Sequence, residues 1–436
     1  MAKLPQEVAV QITGLTAQGL GIGSFEQRDL YVRNALPGET VQARILRKQK
    51  GKLLADGVAV AEPSVDRRAS ACKYFPRCGG CSMHHMHAGA QLQLKQSLLS
   101  AALHEQGVVP KAWTPPHSAG RLGYRRKARM GVRQVGVHSL VGFRESFSNR
   151  VAHLQSCVVL TPELSRMILP LRDLIKKLTI ADRIPQIEVA QGDDQCVLMV
   201  RHLAPFTAQD MLLWVQLQKQ FDVRILLQSK GYDTLKTLDG GPVEPLGYQI
   251  LEHGLYMQFL PQQFTQVNLP MNLVLIRQVL AYLGDLRGKS VADLFCGIGN
   301  FTLPLARAGA RVWGYEGADD AVNMARQNAR LNGLEARVEF ATLDLYGTDG
   351  DDPPSLPVAV DAIVLDPPRS GAGAHLPAWL AGFEGQEIVY VSCNPNSFAA
   401  DAAIITAAGF ELEKVGIFDM FPHTAHVETM GYFHRG

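Results

Sequence analysis

The chain has 436 residues, of which 47% are hydrophobic and 19% are charged, and this is enough apolar material for two or three globular domains. No apolar run approaches the roughly 20 residues that a transmembrane helix requires, and the first residues lack the pattern of a signal peptide. We therefore expect a cytoplasmic protein that has no membrane partner.

The formal net charge of +2 hides an uneven distribution of charge. Residues 1–134 contain 20 Lys and Arg against 8 Asp and Glu, whereas the remaining residues contain 23 against 33. The basic residues concentrate in RILRKQKGK (44–52) and GYRRKARMGVR (123–133). Such a basic front end favours a polyanionic partner, although a basic run by itself is equally typical of a solvated surface.

The front half of the chain shows two kinds of pattern. Residues 7–60 contain short alternating apolar runs separated by Gly, Pro and Asp, which predicts a small β-barrel of the oligonucleotide-binding type. A cysteine-rich loop follows at 72–81, and leucine spacing predicts a helix over about 91–106. Between residues 124 and 229, strand-like and helix-like runs alternate, which predicts a mixed α/β region.

From residue 266 onward, helical and apolar strand segments alternate regularly. This βαβ pattern predicts a doubly wound parallel sheet of the Rossmann-like kind. The last segment, LEKVGIFDMFPHTAHVETMGYFHR, contains two strands that are joined without a helix, so they should pair antiparallel. An antiparallel final pair is typical of the class I methyltransferase version of this fold.

The segment VADLFCGIGNFT predicts a ligand-binding turn after the first strand of that sheet. Gly297 and Gly299 allow a tight turn, and Glu316 ends the next strand, where its carboxylate can accept hydrogen bonds from ribose hydroxyls. Thr302 stands where the dinucleotide fingerprint requires a third glycine. S-adenosylmethionine, which has no pyrophosphate, therefore fits better than NAD, and a strand-turn-helix without a ligand is the alternative.

Two further strand ends carry reactive side chains. Asp366 ends the strand in DAIVLDPPRSG, where Arg369 replaces the aromatic residue of many amino-nitrogen methyltransferases. Cys393 ends the adjoining strand, in SCNP, and should face the same crevice. A thiolate can add to C6 of a pyrimidine and make C5 nucleophilic, and Glu428 of HVETM offers a base. The alternative is that Cys393 is a small buried hydrophobic residue.

Four cysteines have the spacing of a metal site. Cys72, Cys78 and Cys81 form C-x5-C-x2-C, and Cys157 lies far downstream. Four thiolates can hold zinc or a [4Fe-4S] cluster, and the spacing does not choose between them. The C-x3-C-x2-C spacing of radical S-adenosylmethionine enzymes is absent from this segment.

The motifs SCNP, HVETM, LDPPR, DLFCGIGNF and FTQVN together resemble the RNA uracil-C5 methyltransferase family. The resemblance implies that Cys393 is the nucleophile and Glu428 the base. It also implies a [4Fe-4S] cluster on Cys72, Cys78, Cys81 and Cys157, and leaves Cys196 and Cys296 as packing residues. The residues that would bind S-adenosylmethionine are Gln266, Phe295, Asn300, Glu316, Asp344 and Asp366.

The front barrel, with GLTAQGLGIGSFEQRDLYVRNALPGETVQARI, resembles a TRAM domain, which binds RNA. Family members that have both a TRAM barrel and a cluster modify 23S ribosomal RNA, so the resemblance implies that partner, at a single-stranded or loop segment and without a required protein partner. The implied domains are 1–62 (TRAM barrel), 63–262 (cluster-bearing α/β centre) and 263–436 (methyltransferase). The alternatives are the same chemistry on a transfer RNA or another ribosomal uridine, or a non-catalytic iron-sulfur RNA-binding protein.

Overall fold

The structure is a computed structural model, which describes residues 7–346 and 359–436. The first predicted domain begins at residue 1, so residues 1–6 of it lie outside these ranges. None of the described helices is both long enough and apolar enough to span a bilayer.

The N-terminal residues form a six-stranded sheet in the order β1-β5-β6-β4-β3-β2. In β1 the side chains of Val8 and Val10 are buried between exposed neighbours, as the alternating pattern predicts. A Cβ atom on Gly23 would lie 2.5 Å from Val10 Cγ2, so glycine lets β3 pack closely against β1 and curl the sheet. The strands are β1 (Glu7–Gln11), β2 (Gly14–Leu15), β3 (Gly21–Phe25), β4 (Arg28–Arg33), β5 (Thr40–Gln49) and β6 (Lys52–Val60).

Irregular loops across residues 61–87 carry three cysteines and lead into helix α1 (Ala88–Glu105), which confirms the predicted helix. Strand β7 (Ala112–Trp113) follows. A second six-stranded sheet then forms in the order β13-β12-β11-β10-β8-β9, which confirms the mixed α/β centre. Its elements are β8 (Lys127–Val135), β9 (His138–Gly142), α2 (Pro162–Ser165), α3 (Ile168–Ile175), β10 (Gln186–Gln191), β11 (Cys196–Arg201), α4 (Ala208–Phe221), β12 (Val223–Gln228) and β13 (Lys236–Thr237).

A hairpin of β14 (Leu246–Ile250) and β15 (Leu255–Phe259) joins the centre to the C-terminal sheet. This sheet has eight strands in the order β18-β17-β16-β19-β20-β22-β21-β7. Its remaining elements are α5 (Leu269–Leu283), β16 (Ser290–Leu294), α6 (Thr302–Arg307), β17 (Arg311–Glu316), α7 (Asp319–Leu331), β18 (Val338–Thr342), β19 (Ala362–Leu365), α8 (Leu376–Ala381), β20 (Glu387–Ser392), α9 (Pro395–Ala407), β21 (Glu411–Phe418) and β22 (Glu428–His434).

The strand order of the C-terminal sheet determines where a ligand can bind. The chain runs outward from β16 through β17 to β18, and then returns to β19 on the other side of β16. The carboxyl ends of β16 and β19 therefore form the switch point at which open α/β sheets bind ligands. Strand β22 runs antiparallel to both β20 and β21, as the missing helix predicted.

The segment around α1 packs against the C-terminal sheet. Leu99 and Leu103 of α1 share a buried core with Phe398 and Ile405 of α9, and β7 adds a parallel strand beside β21. An apolar face of α1 thus covers the C-terminal sheet although α1 precedes the central sheet in the chain. The domain boundaries at residues 62 and 262 remain predictions.

Candidate active site

The carboxyl ends of the C-terminal sheet open into a cavity of about 910 Å³. This volume lies at the upper end of the range for small-molecule sites. The structure brings all eight residues of the predicted catalytic and cofactor sites to its wall. They are Gln266, Phe295, Asn300, Glu316, Asp344, Asp366, Cys393 and Glu428.

The turn after β16 forms one side of this cavity. Phe295, Gly297 and Gly299 all have positive φ angles of 65°, 53° and 92°, so the backbone follows a path that L residues rarely adopt. Glu316 accepts hydrogen bonds from the amides of Gly297 at 3.1 Å and Ala318 at 3.0 Å. These bonds fix the carboxylate at the cavity and leave further lone pairs for a ligand.

Two hydrogen-bonded pairs of polar side chains stabilise the turn. Thr302, at the position of the missing glycine, donates a hydrogen bond to the fully buried Asp293 at 2.5 Å. Burial raises the pKa of Asp293 to about 7. The amides of Asn300 and Asn272 bond to each other reciprocally at 2.8 and 3.0 Å. The hydrogen bond to Asp293 gives Thr302 a structural role, which explains why threonine and not glycine occupies this position.

Cys393 and Glu428 lie at the neighbouring ends of β20 and β22. The last paired residues of this ladder are Ser392 and Thr429, so Cys393 directly follows one strand end and Glu428 directly precedes the other partner. Glu428 is only 3% exposed, and its Oε2 atom has no hydrogen-bond partner among the described residues. Burial and the nearby Asp366 carboxylate raise the pKa of Glu428 to about 8.

The electrostatic surroundings of Cys393 are mixed. Burial raises the pKa of its thiol to about 11, the carboxylates of Glu428 and Asp366 add to this increase, and the Arg369 guanidinium opposes it. Burial also raises the pKa of Asp366 to about 7, while a hydrogen bond with Gln266 lowers it. A positive charge bound in the cavity would lower all three pKa values, because it stabilises each anion.

The four cysteines of the predicted cluster line a second cavity of about 360 Å³, and Cys393 and Arg369 lie on its wall as well. The backbone amides of Gly80 near Cys78, and of Val159 and Leu160 near Cys157, partly offset the increase that burial causes in the pKa of these two thiols. The thiols of Cys72, Cys78 and Cys157 are near enough to Cys81 to raise its pKa, after the larger effect of burial. The four cysteines thus form one group in space.

Within residues 7–346 and 359–436, no three His, Cys, Asp or Glu side chains are arranged so that they could hold a metal ion. The ligands of an iron-sulfur cubane bind four different irons, so they lie farther apart than the ligands of one ion. The cavity, the four sulfurs and the amide donors fit such a cluster, since hydrogen bonds to the sulfurs are among the features that tune these clusters. A cluster therefore remains a prediction.

A third cavity, of about 350 Å³, lies between the N-terminal sheet and the carboxyl ends of strands in the C-terminal sheet. Its wall includes Ala17 and Gln18 of the first domain, Gly80 of the cysteine loop, and Cys393 with Asn394. Residues of the N-terminal region and of the cysteine loop thus lie on the same cavity wall as Cys393.

Comparisons with known proteins agree with this geometry. Residues 201–344 and 357–435 match the family described as tRNA (Uracil-5-)-methyltransferase, and residues 3–58 match the TRAM domain. The chain is 41% identical to the 23S rRNA (uracil(1939)-C(5))-methyltransferase RlmD of Hahella chejuensis, over 99% of this chain and 98% of that protein. It is 42% identical to the RlmD of Alkalilimnicola ehrlichii, with the same two coverages. The chain belongs to the RNA uracil-5-methyltransferase family.

This methyltransferase also shares its fold with a solved structure. The crystal structure of Pyrococcus abyssi tRNA (uracil-54, C5)-methyltransferase in complex with S-adenosyl-L-homocysteine superimposes with a TM-score of 0.74 and 21% identity, over 98% of this chain and all of that one. Family membership makes the protein an S-adenosylmethionine-dependent RNA methyltransferase with a TRAM domain, which confirms the expected enzyme class.

Sequence reasoning missed part of the methyltransferase cavity. Tyr232 and Asp233 of the central region line it, as does Gln262, whose buried Oε1 atom has no partner in the part of the chain that the structure describes. Arg369, which takes the place of an aromatic residue in the DPPR segment, lines all three cavities around Cys393. No local motif marks Tyr232 or Asp233, because only the packing of the central region on the sheet brings them to this wall.

Proposed function

We propose that this methyltransferase transfers a methyl group from S-adenosylmethionine to C5 of a specific uridine in 23S ribosomal RNA. The reaction proceeds through a covalent bond between Cys393 and C6, followed by removal of the C5 proton by Glu428. The observation that carries the proposal is the position of Cys393 and Glu428 beyond the last pair of the β20 and β22 ladder, at one wall of the cavity. The full-length relatives named for 23S rRNA support the substrate.

The cofactor occupies the side of the cavity formed by the turn after β16. Glu316 would accept hydrogen bonds from the ribose hydroxyls of the cofactor, and Phe295 and Asp344, which line the same cavity, would help to hold it. Gln266, Asn300 and Asp366 complete the set of cofactor contacts. The size of the cavity supports this arrangement, because about 910 Å³ can accommodate a flipped-out uracil beside the cofactor.

The nucleophilic step begins with the Cys393 thiolate. Its sulfur bonds to C6 of the uracil, and the electron pair of the C5–C6 double bond moves into an enolate that makes C5 nucleophilic. C5 then bonds to the methyl carbon of S-adenosylmethionine, whose sulfonium leaves as S-adenosylhomocysteine. Arg369 favours this step because its charge lowers the pKa of the Cys393 thiol.

The elimination step requires a base near C5. Glu428 takes the C5 proton, the C5–C6 double bond forms again, and the C6–sulfur bond breaks to return the thiolate. A carboxylate whose pKa is raised to about 8 is a stronger base than an ordinary glutamate. The unpartnered Oε2 atom supports this role, because no bond within the described residues competes for the proton.

We also propose that Cys72, Cys78, Cys81 and Cys157 hold a [4Fe-4S] cluster. When bound, the cluster supplies four iron–sulfur bonds that cross-link the cysteine loop to the segment before α2. The shared cavity and the amide donors toward the sulfurs support this assignment. The reaction itself requires no electron from the cluster.

The RNA enters along the third cavity, with the TRAM domain holding phosphates on one side. Arg47, Lys48 and Lys50 give the exposed end of the β5–β6 hairpin a positive charge that fits this role. The target is a single-stranded or loop segment, since a base in a stacked helix cannot reach Cys393 without flipping. The division into domains 1–62, 63–262 and 263–436 and a cytoplasmic location, without a required protein partner, complete the proposal.

A release assay tests the substrate and the chemistry together. RNA that carries 5-tritiated uridine releases tritium only when the C5 proton is removed, so 23S rRNA and transfer RNA transcripts can be compared with the same enzyme. We expect release from the 23S transcript and loss of release in Cys393→Ala. Release from transfer RNA alone would instead favour the alternative substrate, and no release from any RNA would favour the non-catalytic alternative.

A further inference from the structure

The loop between β21 and β22, residues 419–427, leads directly into Glu428, and we call it the catalytic loop. Four successive carbonyl groups of this loop accept hydrogen bonds from distant segments. The donors are Asn268 Nδ2 to Met420 O at 3.2 Å, Lys95 Nζ to Phe421 O at 3.1 Å, Tyr124 OH to Pro422 O at 3.2 Å, and the amides of Ser82 and Met83 to His423 O at 2.9 Å each. The backbone path of the loop is therefore fixed from outside the loop.

Gln91 of α1 forms hydrogen bonds both with the catalytic loop and with the segment that follows the cysteine loop. Its side chain is fully buried, and its Oε1 atom accepts a hydrogen bond from the His423 amide at 3.0 Å. Its Nε2 atom donates to Met83 O at 2.9 Å and to Met86 O at 2.8 Å. One carboxamide thus ties residues 83–86, which follow the cysteine loop, to the catalytic loop.

Gln91 bonds to a residue whose backbone conformation is strained. His423 has a φ angle of 68°, in the left-handed region that a non-glycine residue rarely adopts. Such a conformation persists where surrounding contacts hold it, and Gln91 bonds the amide of this residue while the amides of Ser82 and Met83 bond its carbonyl. Loss of Gln91 should therefore let the catalytic loop relax.

The catalytic loop determines the position of Glu428 more than it determines the position of Cys393. Its Oε2 atom has no partner within the described ranges, so side-chain hydrogen bonds do not fix that end of the carboxylate. Its placement comes from the backbone, where it is the first residue of β22 and follows the catalytic loop. Cys393 follows β20 and does not belong to the loop.

We propose that Gln91 is a positioning residue for proton removal, acting through His423 and the catalytic loop on Glu428; the proposal rests on the function proposed above. Because Gln91 acts on the base and not on the nucleophile, its loss should slow elimination more than addition. The covalent RNA–protein adduct should then accumulate during turnover.

The test compares Gln91→Met with Gln93→Met, which changes an exposed glutamine on the same helix. Each purified full-length variant is mixed with 23S transcript and S-adenosylmethionine, and adduct is measured by denaturing electrophoresis beside methyl transfer. We expect Gln91→Met to lose roughly 10- to 100-fold in turnover while adduct accumulates and S-adenosylmethionine affinity is retained. Gln93→Met should behave as wild type.

A second variant, Tyr124→Phe, removes one hydroxyl donor to Pro422 O and changes little else, so it should show the same shift to a smaller degree. Wild-type turnover in Gln91→Met, or equal loss of adduct and product, would overturn the positioning role. Glu428→Gln in the same assay distinguishes failure of the positioning role of Gln91 from failure of the proposed chemistry. If Glu428→Gln forms an adduct and Gln91→Met does not, the positioning role alone fails; if neither does, the proposed chemistry fails as well.

Discussion

Cys393 and Glu428 are neighbours at the ends of two antiparallel strands, one position beyond the paired residues Ser392 and Thr429. Cys393, the proposed nucleophile, directly follows β20, and Glu428, the proposed base, is the first residue of β22 in the β21–β22 hairpin. Because the two groups come from different segments, substitutions can separate the addition step from the elimination step.

The first prediction concerns the nucleophile. Cys393→Ala should abolish methyl transfer while S-adenosylmethionine binding stays close to that of wild type, because Cys393 lies beside the cofactor turn and not in it. Calorimetric titration with S-adenosylmethionine and a methyl-transfer assay measure the two effects. Cys196→Ala, which changes a buried cysteine of the central core, is the matched control. Residual transfer above about a tenth of the wild-type rate would remove Cys393 from the mechanism, since nucleophile loss costs far more than this.

The second prediction links Glu428 to pH-dependent stability. Burial raises its pKa from 4.5 to about 8 in the folded state, so the folded protein keeps a proton that the unfolded chain releases. The free energy of unfolding should therefore fall as pH rises from about 5 to about 8, and then level off. Glu428→Gln does not titrate, and relative to wild type it should gain stability across this window, by an amount of the order of a few kcal/mol. Urea unfolding at both ends of the window measures the difference, and parallel curves for the two proteins would contradict the burial argument.

The third prediction concerns Arg369. Its charge lowers the pKa of the Cys393 thiol, which burial raises to about 11, so Arg369→Met should slow adduct formation at neutral pH. The rate of the variant should recover at higher pH, because more thiolate forms there. Single-turnover methylation across pH 6.5–9.5 measures the shift: below the raised pKa of the thiol both rates should increase with pH, and the variant should reach a given rate only at a higher pH than wild type. Arg287→Met, at an exposed arginine before β16 on the opposite edge of the sheet, should match wild type. An unshifted pH profile in Arg369→Met would mean that its charge does not act on Cys393.

The fourth prediction concerns the cysteine cavity. Protein purified without oxygen should contain about four irons per chain and show broad absorbance near the blue end of the spectrum. Cys81→Ala should lose iron and absorbance, whereas Cys196→Ala should keep both. Metal analysis measures the content directly. Stoichiometric zinc without iron would show that the four cysteines hold a zinc ion instead.

Much of the catalytic sheet could be predicted from sequence because its signals are local. Alternating strand and helix patterns predicted the parallel pairing of the sheet, and the absence of a helix before β22 predicted the antiparallel final pair. Glu316, Asp366 and Cys393 each end or follow a buried strand, and the carboxyl ends of such strands must meet at one edge. Local sequence patterns were therefore sufficient to predict that these three residues lie close together.

Other features depend on contacts between distant parts of the chain. Lys95 and Asp419 form a fully buried ion pair although 324 residues separate them, and neither has a motif that indicates its partner. The packing of α1 on the catalytic sheet could not be read from its leucines, which fit any apolar surface. The sequence also suggested a reactive thiolate at Cys393, whereas burial raises the pKa of its thiol to about 11. Burial is a property of the folded chain, so spacing does not report it.

The fifth prediction tests the central claim, that methylation proceeds through a Cys393 adduct that Glu428 resolves. Glu428→Gln keeps the size of the side chain but removes the base, so addition and methyl transfer should occur while elimination fails. With labelled 23S transcript and S-adenosylmethionine, a denaturation-resistant RNA–protein band should accumulate, and mass spectrometry should find a methylated uridine on the peptide that contains Cys393. General bases contribute roughly 10² to 10⁴ in rate, so the adduct should persist through electrophoresis. The double variant with Cys393→Ala should show no band. Rapid turnover by Glu428→Gln, or a band that survives the loss of Cys393, would contradict the account.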